Sequence, residues 1–332
     1  MDCLKEITYG IINQKIKQKG MLTMMKKSIF AGVIAGMILC AVQCYAANIK
    51  TGDYVQMGRY YQEPILWRCV EEDENGALMM ADQILTLKAF DAKGEHENDY
   101  RSYRENFGSN LWETSNLRSW LNSDAEAGNV IWQCGNPPVK SAVWGQYNAY
   151  DSEAGFLNDF TDTQKSAIKS VTQKQLLGVR DAVWGGIAES GSENHISYSC
   201  KPDVVLKNYD EAYSYNLADK VFVADIKQIN EIYNNSEILG EGYYIGTPSK
   251  ACVENSEYKY SIKEGSNWYS WLRTPYGVTI NSETVRHLWS DGTVERIHAN
   301  TSYIGVRPAF YINEEAVSKT GNGTKELPYI IE

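Results

Sequence analysis

The sequence predicts a single α+β domain built from short strands and short helices joined by long irregular stretches. Three observations point there. Runs of alternating β-forming residues stand near both ends of the chain, helix-capping patterns stand between them, and residues 128–155 and 185–220 scatter Gly, Asn, Asp and Tyr with little periodicity. There is no internal repeat, Pro-rich linker or low-complexity tract.

The first segment sets the compartment. Lys26 and Lys27 precede an uncharged apolar run over 29–42 that ends near Cys44-Tyr-Ala46-Ala47, the layout of a signal peptide. The run is short of the about 20 residues that span a bilayer. Cleavage is expected after Ala46. Residues 1–23 read as an upstream start extension, since Met24 or Met25 would open a better-formed signal. A lipoprotein signal needs a small residue before its cysteine, whereas Leu39 precedes Cys40 and Gln43 precedes Cys44. Segment 1–46 is thus extension and signal, and 47–332 the domain, secreted or in the cell envelope, with no membrane insertion after cleavage.

Charge narrows the partners. The chain carries a formal net charge of −10, and removing 1–46, with six lysines and two acidic residues, leaves −14. Nucleic acid is excluded as a partner, because phosphate neutralisation needs clustered Lys and Arg. Cys69, Cys134, Cys200 and Cys252 remain after cleavage, enough for two disulfides or four separate thiols. None forms a Cys-x-x-Cys pair, which disfavours a zinc knuckle.

In chain order, 54–61, 65–71 and 77–84 read as strands, the last two joined by an Asp73-Glu-Asn-Gly76 turn. The polar stretch 91–110 reads as a surface loop. Thr114 or Ser115 caps a short helix that presents Leu117, Trp120 and Leu121 on one face and ends at Asn122. Thr161 with Gln164, and Asp225 with Gln228, form capping-box patterns ahead of two further helices. A hairpin then joins 284–289 to 293–298 through Ser290-Asp-Gly292. In that register Leu288 lies opposite Val294 and His287 opposite Glu295. Alternation sends the first pair inward and places His287, Trp289 and Glu295 on an open face. With Asp291 in the loop, these are the ligand-binding candidates, a stacking ring beside directional polar groups. The alternative buries Trp289 beneath an insertion and leaves His287 and Glu295 as an ordinary cross-strand pair.

The frame around that hairpin is Trp268-Tyr-Ser-Trp271-Leu-Arg273-Thr-Pro275 before it and Gly305-Val-Arg307-Pro-Ala-Phe310 after it. Upstream stand Gly52-Asp-Tyr-Val-Gln-Met-Gly58, Pro64-Ile-Leu-Trp67-Arg68, Ser115-Asn-Leu-Arg118-Ser-Trp120-Leu-Asn122 and Val221-Phe-Val-Ala-Asp225. In this order, over roughly residues 50 to 313, the set resembles the bacterial domain of unknown function 6273 family. The resemblance implies a C-type lectin-like fold with a small twisted antiparallel sheet, short flanking helices and long loop insertions, related to formylglycine-generating enzymes and bacterial diversified binding proteins. It implies structural roles for Trp67, Arg118, Trp120, Trp271, Arg273 and Arg307, each arginine tying loop carbonyls or carboxylates.

No complete catalytic set is found. The cysteine pair of formylglycine-generating enzymes does not carry over, because Cys200 and Cys252 both lie outside the 305–310 signature. Ser190, Ser192 and His195 lack the glycine a nucleophile elbow needs, and His96-Glu97 lacks the second histidine of a zinc protease. Gly185-Gly186 lacks nucleotide-loop spacing. No cofactor is expected; calcium is the one alternative, from imperfect echoes of lectin motifs in Glu63-Pro-Ile65 and Trp289-Ser-Asp291. The expected function is a non-catalytic binding module for an extracellular glycan, peptide or cell-surface protein. The alternatives are an envelope-associated structural domain and a formylglycine-generating-enzyme-like oxidoreductase.

Overall fold

Alternation in the first fifty described residues builds the first three strands. β1 (Tyr54–Tyr60), β2 (Glu63–Asp73) and β3 (Gly76–Ala81) form an antiparallel meander that sends Val55, Met57, Ile65, Trp67 and Cys69 inward. The computed structural model describes residues 48–94, 102–187, 200–277, 282–317 and 320–332. The signal segment 1–46, His96-Glu97, Ser190, Ser192 and His195 lie outside the described residues.

The chain continues through β4 (Thr86–Leu87), α1 (Ser102–Phe107), α2 (Asn116–Leu121), α3 (Asp162–Ser166), β5 (Val171–Leu176), α4 (Val179–Trp184), α5 (Pro202–Leu206), β6 (Ser214–Asp219) and β7 (Phe222–Val223). It then forms α6 (Ile226–Asn234), α7 (Ser236–Leu239), α8 (Lys250–Asn255), β8 (Ser270–Pro275), β9 (Thr284–Leu288), β10 (Val294–His298), β11 (Gly305–Val306), β12 (Pro308–Tyr311) and β13 (Tyr329–Ile330). The architecture is α+β. Among the described residues no helix is long and apolar enough to cross a membrane.

Local chemistry accounts for the helices. Ser115 accepts the Arg118 amide and Asn122 closes α2, whose Leu117, Trp120 and Leu121 are buried. Thr161 with Gln164 and Asp225 with Gln228 each make both bonds of a capping box. The sheets depart from the expectation of one small antiparallel sheet. A six-stranded sheet runs β13-β1-β2-β3-β12-β7 and a five-stranded one β10-β9-β8-β11-β4, each containing one parallel pair, with β5 and β6 as a separate ribbon.

The chain passes from one sheet to the other at Arg307, between β11 and β12. Its guanidinium donates to the carbonyls of Ala81 at 2.8 Å, Tyr243 at 2.8 Å and Asp82 at 3.3 Å. Gly305 is required beside it, because a Cβ there would stand 2.6 Å from the Tyr269 carbonyl oxygen. Beneath the crossing, Trp67 meets Phe310 edge-on at 4.7 Å and donates to the Met57 carbonyl at 2.8 Å. Burying such a ring contributes roughly 1.5–3 kcal/mol.

The described parts of stretch 91–110, residues 91–94 and 102–110, are not simply the surface loop that its polarity suggested. Asp91, Arg104, Ser109 and Asn110 are buried. Asp91 accepts the amides of Ser109 at 2.8 Å and Asn116 at 3.0 Å, and Arg104 pairs with Asp181 at 2.8 Å, so this polarity is satisfied internally. Cys69, Cys134, Cys200 and Cys252 form no disulfide among the described residues, so of the two readings it is the separate thiols that the structure has. Cys69 and Cys252 belong to different hydrophobic clusters, and burial pushes both thiols up to about 12.

Candidate ligand-binding surface

A rigid frame positions the surface. Arg273 in β8 is 2 % exposed and donates to Asp225 at 2.7 Å, Gln173 at 3.1 Å and Gln175 at 3.0 Å. Asp225 also caps α6, so one guanidinium joins β8, β5 and that helix. Arg118 donates to Asp219 at 2.6 Å and to the Glu113 and Ala218 carbonyls, both at 3.1 Å. Trp120 and Trp271 are buried and donate to the carbonyls of Ala154 at 3.0 Å and Lys88 at 2.8 Å.

Seven aromatic rings lie contiguously where the five-stranded sheet meets its loops. Trp289 packs on Tyr269 at 4.4 Å between ring centroids, and Tyr269 touches Trp268 at 4.6 Å and Tyr303 at 6.4 Å. Tyr303 stacks on Tyr258 at 5.3 Å and meets Trp144 at 5.7 Å; Tyr258 meets Tyr147 at 5.1 Å. Trp144 is 57 % exposed, Trp289 39 % and Tyr147 37 %, while the other four are partly buried. Large aromatics exposed side by side, rather than singly, mark an interaction surface.

Three loops hold the ribbon. Trp144 donates its amide to the Asn300 carbonyl at 2.7 Å and accepts the Ser302 hydroxyl at 2.7 Å. Asn148 accepts the Glu257 amide at 2.9 Å and the Ser256 hydroxyl at 3.1 Å, and donates to the Ser302 carbonyl at 3.0 Å. Trp268 donates its indole N–H to the Tyr303 carbonyl at 3.0 Å. To reach these partners the 144–148 loop holds Gly145, Gln146 and Asn148 at φ of 84°, 58° and 49°. Left-handed backbone costs on the order of 1 kcal/mol at each non-glycine position.

The surface is electrostatically quiet. Burial raises the Tyr269 and Tyr303 phenols above their ordinary value, so both stay neutral. At the rim Glu257 pairs with Lys140 at 2.8 Å, and that hydrogen bond lowers its carboxyl.

The hairpin has the expected register, Leu288 opposite Val294 and His287 opposite Glu295, closed by a Trp289 to Thr293 backbone bond of 2.7 Å. The open face is different from the expected one. His287 is 1 % exposed, because its face of β9 continues into the core through Trp271, its partner across the sheet. Tyr269, Trp271 and Trp289 surround the ring at 6.2, 6.2 and 5.9 Å, both its nitrogens lack a partner among the described residues, and burial lowers it to about 3. It is a neutral core residue rather than a surface ligand group. Asp291 is exposed but is engaged by the turn, accepting the Thr293 amide at 2.9 Å and hydroxyl at 2.7 Å. Glu295 is partly buried. Of the four candidates only Trp289 belongs to the ribbon. Trp144, Tyr147, Tyr258, Tyr269 and Tyr303 were not singled out from sequence. Their signal is aromatic residues in polar stretches without periodicity, where no helix or strand face calls for them.

Among the described residues no three His, Cys, Asp or Glu side chains gather as a metal site requires. Glu63 and Asp291, the echoes of calcium motifs, sit on β2 and in the β9–β10 loop, elements of different sheets.

The family model for the domain of unknown function DUF6273 matches residues 74–314. The chain belongs to this family. The DUF6273 span holds every ring of the ribbon and the Arg118, Arg273 and Arg307 ties, while β1 and Trp67 precede it. Comparisons with curated proteins and with solved structures return no match. For this DUF6273 member the geometry of its own residues therefore carries the functional reading.

Proposed function

We propose that this protein is a non-catalytic binding module of C-type lectin-like type, exported by its N-terminal signal, whose aromatic ribbon receives an extracellular glycan. The observation that carries the reading is the run of seven touching rings with Trp144, Tyr147 and Trp289 at its exposed positions. Aromatic faces pack against the C–H faces of sugars, and Tyr and Trp supply contact area at low conformational cost. The phenols and the Asn148 and Glu257 rim offer polar groups at the ring edges. An acidic chain with a formal net charge of −10 favours neutral over polyanionic glycans.

Binding without chemistry is also the better account of the side chains near the ribbon. His287 is buried and neutral, and Cys252, one of the two late cysteines of the oxidoreductase alternative, is buried with its thiol raised to about 12. A thiol in that state is a poor nucleophile. No cofactor is assigned. A glycan array probed with the protein tests the proposal: saturable binding to a set of neutral glycans is the supporting result. A blank array from folded protein favours the envelope-associated structural domain.

A further inference from the structure

The opposite face of the same hairpin holds an unmatched charge. Arg286 in β9 is 1 % exposed, and among the described residues the one hydrogen bond of its guanidinium runs from Nε to the Tyr209 hydroxyl at 3.0 Å. That hydroxyl is itself positioned by donating to the Pro275 carbonyl at 2.7 Å. Nη2 of Arg286 is buried with no acceptor, and no carboxylate lies within ion-pair distance among the described residues. The other buried arginines behave differently: Arg104 and Arg273 each hold an aspartate, and Arg307 spends its donors on backbone carbonyls. A buried guanidinium without a counter-charge is costly and calls for a partner.

A second cation faces it. Arg296 of β10 is the direct cross-strand partner of Arg286, a placement in which like charges repel. Both sit against one ring: the Arg286 and Arg296 guanidinium carbons lie 4.8 and 4.2 Å from the centroid of Tyr276, which puts them within about 9 Å of each other. Arg296 is exposed, and its long side chain lies on the solvent side of the same Tyr276 ring. β10 is the last strand of its sheet, and its one cross-strand bridge on the outer side among the described residues joins Val294 to Cys200, two positions before Arg296.

We propose that Arg286 and Arg296 form a binding site for a compact oxyanion, a phosphate, sulfate or carboxylate group, with Tyr276 as its aromatic wall. The anion takes the Nη2 donor of Arg286 and the fork of Arg296, once that side chain moves aside, and removes the repulsion between them. Strand alternation separates this site from Trp289, so it stands or falls independently of the aromatic ribbon.

The experiment is thermal unfolding of the full chain in sodium phosphate, sulfate and acetate, each against sodium chloride at matched ionic strength and pH 7. A saturable rise in Tm of a few degrees with at least one oxyanion is expected, and acetate separates a carboxylate site from a phosphate or sulfate one. Arg286→Met should abolish the rise and, having lost the unmatched charge, be at least as stable as the native chain in chloride. Arg296→Gln, altered at an exposed position, decides the matter if Arg286→Met does not fold, and should lose most of the rise. No oxyanion-specific rise in the native chain, or a rise kept in full by the variants, overturns the proposal.

Discussion

Tyr269 and Trp289 pack ring against ring at 4.4 Å, one ahead of β8 and the other just after β9, with His287 sealed behind them. The pair marks where one sheet face changes from core to surface: Trp271 is 2 % exposed and Trp289, two strand positions away on the neighbouring strand, 39 %. The interior half of that face is core, and the outer half is the surface to which the proposal assigns binding. The predictions separate the two.

Arg273→Ala is expected to destabilise the fold by about 3–5 kcal/mol, because it leaves Asp225 buried and uncompensated and frees the amide oxygens of Gln173 and Gln175. Urea unfolding of the variant measures this. A change below about 1 kcal/mol would show that the clamp between β8, β5 and α6 is dispensable.

His287 makes the fold acid-sensitive. Its folded value of about 3 lies below the ordinary 6.5, so the unfolded chain binds the extra proton between those limits. Its contribution is therefore complete above pH 6.5 and is lost as pH falls toward 3, on the order of 5 kcal/mol in all. Asp91 acts in the opposite sense: burial raises it to about 7, so its contribution declines as pH rises toward that value. The comparison that isolates the histidine is His287→Phe against native protein from pH 7 to pH 4. The variant should be at least as stable at pH 7, having lost a buried N–H with no partner, and should gain relative to native as the pH drops. Parallel curves would remove the assignment.

Gly292 holds the hairpin loop at φ 85°, and a Cβ there would stand 2.1 Å from the Tyr244 hydroxyl, which donates to the Gly292 carbonyl. Gly292→Ala should cost more than about 1 kcal/mol in urea unfolding, since both backbone and packing resist it. Adding Tyr244→Phe should recover only part of the loss, because the ring carbon behind the hydroxyl is itself 2.9 Å away.

What the sequence made legible was chemistry that is local along the chain. The capping bonds of Ser115, Thr161 and Asp225 span three residues, and the β9–β10 register follows from a loop of three, so short patterns suffice to place them. What it hid depends on distant partners. Asp91 reads as surface polarity until the Asn116 amide, 25 residues on, is seen to satisfy it. His287 was placed on the correct side of its strand, but alternation says only which residues share a face, and the cover over that face comes from Tyr269 and Trp271 on another strand. The ribbon was missed for the same reason. Trp144, Tyr258 and Tyr303 come from separate loops, and only the fold makes them neighbours.

The most direct test of the ribbon is the affinity of the strongest array ligand for Trp144→Ala and Trp289→Ala, set beside the native protein by titration. Both rings are partly exposed, so each variant should stay folded with a stability loss of about 1 kcal/mol. The ribbon account predicts at least a tenfold weaker affinity in both, about 1.4 kcal/mol each. Native affinity in two well-folded variants would contradict it.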